Sequence, residues 1–455
     1  MAPDPERLHR PAGVDAVVRA LADMTVERVA GAPAVGPVAP PPSPPPVTVT
    51  AEGIGADRAL RVWAEQLAPA CIAVDHPRYL AFIPGAPTPL AGAFDMLVGA
   101  SSIYGGSWME GAGAVLAENE ALRWIADLAG LPERAGGVFV SGGTVGNLSA
   151  LVAAREHARH TRSAVPARWA VCVTEETHSS VVQALRTVMD VDAVLVPGDA
   201  RGRMTGAAMR ATIDALPAER RDGIFAVVAT AGSTNLGVVD DIAGVGEIAR
   251  ANGWWLHVDG AYGGAGLAAP SVRELYAGVE HADSFIVDPH KWLFSTFDCC
   301  ALLYADPARA RAAHMQHADY LDALNADADW NPSDYAIHLS RRARGLPFWF
   351  SLAAHGTDAY RDAIEHTLAV TRAGAELVRA AEHLDLVVES DLSVIVFARS
   401  GWEQADYARW SADLLRRQIG FLVPTRHRGR PCARLAVVNP LTTADDLREI
   451  FDSLR

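Results

Sequence analysis

The chain of 455 residues has little of what marks several protein classes. Its five cysteines (Cys71, Cys172, Cys299, Cys300 and Cys432) show no metal-type spacing, so no metal site is expected. Their odd number suits a reduced compartment. The first residues, MAPDPERLHRPAG, lack the apolar core of a secretion signal, and no run is long enough to span a bilayer. The expected location is therefore cytoplasmic, with no membrane partner. Positive charge is also short. The net charge of -14 argues against nucleic acid or an anionic surface as a main partner. No internal repeat is evident. The dinucleotide fingerprint and the Walker lysine are both missing. What remains is an ordinary globular composition, 50% hydrophobic and 21% charged, in a chain long enough for more than one domain.

The rest of the chain is organised around the stretch from Trp254 to Cys300. It reads WWLHVDGAYGGAGLAAP and then ADSFIVDPHKWLFSTFDCC. Trp254 to Val258 has the pattern of a buried parallel strand, with Asp259 at its end. Phe285 to Val287 is a second apolar run, followed by an Asp-Pro turn and Lys291. Strand ends of an open α/β sheet point into the crevice where ligands bind. A carboxylate and a lysine delivered to one crevice suit pyridoxal 5'-phosphate (PLP). The amine condenses with the cofactor aldehyde, and the carboxylate keeps the pyridine nitrogen protonated. Either residue alone reads more simply as a strand-end aspartate or a surface lysine.

HVDGAYGG and DPHKW, in this order and spacing, resemble the group II pyridoxal-dependent amino-acid decarboxylases related to aromatic-L-amino-acid decarboxylase. The resemblance implies an α/β chain with the type I PLP-dependent fold. That fold has a mainly parallel central sheet flanked by helices, an N-terminal arm and a small α+β C-terminal domain. The expected division is 1–75 for a helical arm with a Pro-rich connector, 76–340 for the PLP-binding domain and 341–455 for the C-terminal domain. The resemblance is firm from His76 to Trp349 and looser outside.

Residues 14 to 30 carry helical apolar spacing at Val14, Val17, Val18, Leu21 and Met24. Six prolines between Pro40 and Pro46 give a semi-rigid connector. Helix followed by connector reads as an arm packed across a second subunit, and the resemblance implies a homodimer. A second helix is expected over Ala56 to Gln66. The stretch from His76 to Gly113 resembles the family's pocket-lining segment. Phe82, Tyr104 and Trp108 are its pocket candidates, with Tyr79 beside them, and core packing is the simpler role for any one of them. Glu118 to Leu128 reads as an amphipathic helix.

Strand Val138 to Val140 runs through Ser141-Gly142-Gly143-Thr144 into a helix starting near Val145. Glycines beside a helix N-terminus offer free N–H groups to a phosphate, and the Thr144 hydroxyl adds a donor. Such a turn by itself is weak evidence. It resembles the family's phosphate loop and assigns Gly143 and Thr144 to the cofactor. THSS resembles an AHSS-type motif whose histidine stacks on the pyridine ring, which implies that role for His178. Thr234 matches a family threonine near the ring, or serves as a strand-end turn. Ala261 is small enough to let the ring lie flat, and His290 adjoins the lysine. Tyr320-Leu321 and the polar run after them match a mobile loop that carries a tyrosine over the site. Tyr320 is thus the expected proton donor. SRRARGLPFW, Ser340 to Trp349, resembles the segment that leads into the C-terminal domain. There, a helix over Thr357 to Glu382, strands at Leu386-Val388 and Ser393-Ala398, a hairpin within Phe421 to Val438 and a last helix from Thr443 are expected.

The implied activity is decarboxylation of a small-molecule L-amino acid, with a lean toward aromatic substrates, to the amine and CO2. The alternatives are a non-aromatic substrate, oxidative deamination to an aldehyde, another PLP lyase or transaminase, and an inactive relative. Two departures stand out. Asp288 occupies a position where the aromatic decarboxylase has Asn, next to the expected phosphate. Gly106 occupies one where it has a bulky Phe.

Overall fold

A computed structural model describes residues 13–31, 33–316 and 330–455. Its centre is a seven-stranded sheet in the order β1-β7-β6-β5-β4-β2-β3. The strands are β1 (Gly136–Val140), β2 (Ala170–Val173), β3 (Asp192–Leu195), β4 (Ile224–Thr230), β5 (Trp255–Asp259), β6 (Ser284–Val287) and β7 (Cys300–Tyr304). β2 through β6 pair in parallel, and β7 runs antiparallel between β1 and β6. The central strands are buried on both faces, which is why they read as continuous apolar runs without alternation. Helices cover both faces. The helix Gly143–Thr161 lies on one side, packed against β4, β5, β6 and β7. Ile242–Ala251 lies against β4 and β5 on the other side.

A second, four-stranded sheet is antiparallel throughout, in the order β10-β11-β9-β8. Its strands are β8 (Leu384–Val388), β9 (Val394–Arg399), β10 (Val423–His427) and β11 (Arg430–Ala436). The expected hairpin is β10 and β11. The long helix Thr357–Ala380 and the last helix, Ala444–Asp452, pack against each other beside this sheet. Thr443 caps the last helix in a reciprocal capping box with Asp446. The stretch near Tyr79 joins this region. Leu80 N–H donates to Phe421 O at 2.9 Å, and Ala436 N–H donates to Leu80 O at 2.9 Å. A segment expected to open the larger domain thus hydrogen-bonds to the C-terminal sheet.

Two helices differ in extent from the sequence reading. The helix expected from Glu118 begins at Trp108, capped by the Ser107 hydroxyl, with a break at Gly111. The helix expected over Ala56 to Gln66 is α-helical from Ala56 to Val62 and continues as a wider π-turn, Trp63–Leu67. Among the described residues no helix is long and apolar enough to cross a membrane, and no cluster of three or more metal-ligating side chains occurs.

Candidate active site

The C-terminal ends of β1, β2, β4, β5 and β6 open into one cavity of about 260 Å³. This is the crevice outside the carboxyl edge of a mainly parallel sheet, where connecting loops gather side chains from sequence-distant strands. β1 supplies Ser141, Gly142, Gly143 and Thr144, with Asn147 one turn into the next helix. After β2 come Glu176, His178 and Ser180; after β4, Thr230, Gly232 and Thr234. β5 delivers Asp259, Ala261 and Tyr262, and β6 delivers Asp288, His290 and Lys291. Phe297 and Asp298, just before β7, complete the lining.

Eight sequence candidates therefore meet in this cavity: Gly143, Thr144, His178, Thr234, Asp259, Ala261, His290 and Lys291. Phe82, Tyr104 and Trp108 are not among its lining residues. Phe82 is 55% exposed. The Tyr104 hydroxyl donates to Leu339 O at 3.0 Å, and Trp108 begins a helix with its N–H on Asn331 Oδ1. The room a side chain at Gly106 would need is filled by the Tyr104 side chain, whose hydroxyl oxygen lies 2.4 Å from an ideal Cβ. Tyr320 lies outside the described residues.

Lys291 is the single lysine among the 40 basic residues of the chain, a signal visible in the composition. Its Nζ lies 2.9 Å from Asp288 Oδ2. Burial alone would lower the amine's pKa, but the Asp288 carboxylate and, more weakly, Asp259 outweigh it and raise it. The pairing also answers what Asp288 does beside an expected anion site: its charge is turned onto the lysine. Its other oxygen, Oδ1, is buried with no hydrogen-bond partner among the described residues. His290 stands next to this pair, its Nε2 3.7 Å from Asp288 Oδ2, and burial pushes its pKa down.

Asp259 is 4% exposed. Its Oδ2 accepts from Asn147 Nδ2 at 2.9 Å and its Oδ1 from the Ala261 N–H at 3.0 Å. A buried carboxylate is tolerable as an anion only with such donors. Asn147 escaped the sequence reading. Its place one turn after the glycine turn was the available signal, because that turn of the helix faces the end of β5.

The glycine turn is tight for a reason. An ideal Cβ on Gly143 would lie 3.1 Å from Ala261 Cβ and 3.3 Å from Asp288 Oδ2. Glycine keeps the backbone open to the cavity at the start of a helix whose first amides have no intrahelical acceptor. His178 caps the short helix Ser179–Gln183, its Nδ1 accepting from Ser180 N–H at 3.3 Å. Nδ1 is therefore the lone-pair nitrogen, and Nε2 carries the proton of the neutral ring. Glu176, also missed by the sequence reading, makes no salt bridge among the described residues. Burial and neighbouring Glu175 raise its carboxyl pKa, with Arg428 pulling the other way.

An amine, a buried carboxylate, a helix N-terminus and a flat imidazole around one cavity can hold an anionic, ring-bearing aldehyde. Comparison with known proteins agrees. A family model described as the pyridoxal-dependent decarboxylase conserved domain matches residues 54–400. L-2,4-diaminobutyrate decarboxylase of Rhizobium meliloti is 35% identical over 393 residues, covering 84% of this chain and 78% of the relative. Aromatic-L-amino-acid decarboxylase of Bacillus atrophaeus is 29% identical over 397 residues, covering 84% and 81%. Among solved structures, Oryza sativa TDC with PLP and tryptamine superposes with a TM-score of 0.84 at 23% identity, over 100% of this chain and 98% of that one. At that identity the likeness shows the fold.

Proposed function

The chain belongs to the pyridoxal-dependent decarboxylase family, and from that premise we propose that its substrate is an L-amino acid with a cationic side chain, of the diaminobutyrate type. The cofactor is PLP. Glu176 carries the substrate reading. It is a carboxylate in the cavity lining without a salt bridge among the described residues, and a second ammonium group on the substrate would give it one. The higher identity to the diaminobutyrate enzyme points the same way.

The residues present fit the cofactor. Lys291 Nζ would hold the aldehyde carbon. The amides at Gly143 and Thr144, with the Thr144 hydroxyl, would hold the phosphate. Asp259 would keep the ring nitrogen protonated. His178 would cover one face, and Ala261, with its single methyl, would let the ring lie flat. Thr234 and His290 would border it. When bound, the cofactor supplies the electron sink for the pair left behind as CO2 departs. The protein's own work is to keep the Asp259 charge dry and satisfied and to orient the α-carboxylate. We assign that orienting role to His178 Nε2–H.

A second reading rests on Phe297. This ring is 60% exposed and lines the cavity, so it offers an apolar face to an aromatic substrate. We also propose a homodimer. The helix Val14–Ala30 buries none of its residues within one chain, although its apolar positions are spaced to face one side.

A panel of L-amino acids given to the PLP-loaded protein, with CO2, amine, aldehyde and peroxide all measured, tests the function. The expected outcome is amine and CO2, with the highest kcat/KM for L-2,4-diaminobutyrate. Glu176→Gln should lower that value by about tenfold or more, the loss of one charge-assisted contact. Preference for aromatic substrates, unchanged by Glu176→Gln, would establish the second reading. Aldehyde with peroxide as main products would make the chain an oxidative enzyme.

A further inference from the structure

Behind Asp259 runs a buried chain of hydrogen bonds. Trp255, His257 and Asp259 alternate along β5, so their side chains share one face of the sheet. Trp255 Nε1–H donates to Ser284 Oγ at 2.8 Å. Ser284 Oγ lies 2.7 Å from His257 Nδ1, and His257 Nε2 lies 2.7 Å from Asn147 Oδ1. Asn147 Nδ2 then donates to Asp259 Oδ2 at 2.9 Å. Ser284 and His257 face each other because β6 pairs with β5 in that register. His257 and Ser284 are 0% exposed, and Asn147 is 1% exposed.

The carboxylate end fixes the direction. An ionised carboxylate can only accept, so Asn147 turns its NH2 to Asp259 and its Oδ1 to His257. The neutral imidazole must then carry its proton on Nε2 and give it to Asn147 Oδ1, and its Nδ1 accepts from the serine hydroxyl, which itself accepts from the indole N–H. This locks the amide with its NH2 toward Asp259. A flipped amide would set its oxygen against the carboxylate and its NH2 against the His257 Nε2–H. Burial, working against the pull of the Asp259 charge, lowers the His257 pKa to about 4, so the ring is neutral, as the chain requires.

We propose that Trp255, Ser284, His257 and Asn147 form a one-way relay that positions Asp259 and holds it as an anion under the cofactor ring nitrogen. The four are positioning residues. The inference rests on the reading that Asp259 pairs with that nitrogen. Without the relay, Asp259 keeps only the Ala261 amide, and the balance of the shared proton moves from the ring toward the carboxylate.

The test uses PLP labelled with 15N at the ring nitrogen, bound to the full-length protein, with the nitrogen shift followed against pH. Cofactor affinity is measured in parallel by equilibrium dialysis. In the wild type the ring nitrogen stays protonated across the neutral range. In Asn147→Leu it should lose its proton within that range, and PLP should bind on the order of tenfold more weakly. Trp255→Phe keeps an aromatic ring in the core and removes the first donor. It should shift the titration in the same direction by a smaller amount, and it carries the test if Asn147→Leu does not fold. Asp259→Ala is the control. If its ring nitrogen titrates like the wild type, the pairing with Asp259 falls, and the relay with it. If Asp259→Ala loses the proton while Asn147→Leu and Trp255→Phe both match the wild type, the pairing stands and the relay is overturned.

Discussion

Asp288 and Lys291 set a pH dependence that can be worked out from their contact. Only the neutral amine condenses with an aldehyde. The carboxylate 2.9 Å away holds the amine's pKa up against burial, so at a given pH it leaves less neutral amine. Asp288→Asn removes that charge and leaves burial, which lowers the amine. The rate of PLP uptake by apoprotein should then rise at neutral pH, and its rising limb should move to lower pH. Stopped-flow absorbance across pH checks this, and an unmoved profile would show that Asp288 does not govern the amine. At this scale much was legible. Lys291, Asp259, His178 and Thr144 sit in short contiguous motifs, because a strand end and its following turn deliver them together. Asn147, Glu176 and the orientation of Asp288 were not legible in the same way. Their roles depend on which strand end a helix or loop faces, and no local pattern encodes that. The sole lysine was readable from composition alone.

Among elements, the turn after β6 is held by a neighbour far away in sequence. Gly85 lies so close to it that an added Cβ would stand 2.4 Å from the His290 carbonyl oxygen. Backbone cannot yield there as a flexible side-chain tip can, so Gly85→Ala should push the His290-Lys291 turn out of place. The expected results are weaker PLP binding and a stability loss of roughly 1–3 kcal/mol, typical of overpacking. Calorimetry with and without PLP would separate the two effects, and an unchanged melting temperature and affinity would show that the turn is slack. Elements were read best where burial makes a strand mainly apolar, as in β5 and β6. The start of the Trp108–Leu128 helix was missed because Gly111 and Gly113 interrupt its periodicity and Gly111 departs from helical angles. The link from Leu80 to Phe421 and Ala436 joins residues hundreds of positions apart, so no pattern in either stretch could announce it.

For the whole molecule, alternating strands and helices build the mainly parallel sheet, and β7 enters it as an antiparallel member between β1 and β6. What one chain cannot account for is its N-terminal helix. Val14 is 46% exposed, Val18 56% and Leu21 42%, and no residue of the helix is buried. Arg28 holds its end through Asp75 at 2.6 Å, but a half-exposed ion pair contributes little to stability. An amphipathic helix with its apolar stripe in water is not stable by propensity alone; it needs a surface to cover that stripe. A second copy of the chain is the surface we propose. Light scattering should then give twice the 48.3 kDa of one chain. Replacing both Val18 and Leu21 by Glu discriminates between the cases. In a monomer these positions already face solvent, and surface substitutions cost within about 0.5 kcal/mol. In a dimer they would place charge in the interface and shift the mass toward one chain. A wild-type monomer with full decarboxylase activity, or a double variant with unaltered mass at low concentration, would remove the helix from the interface.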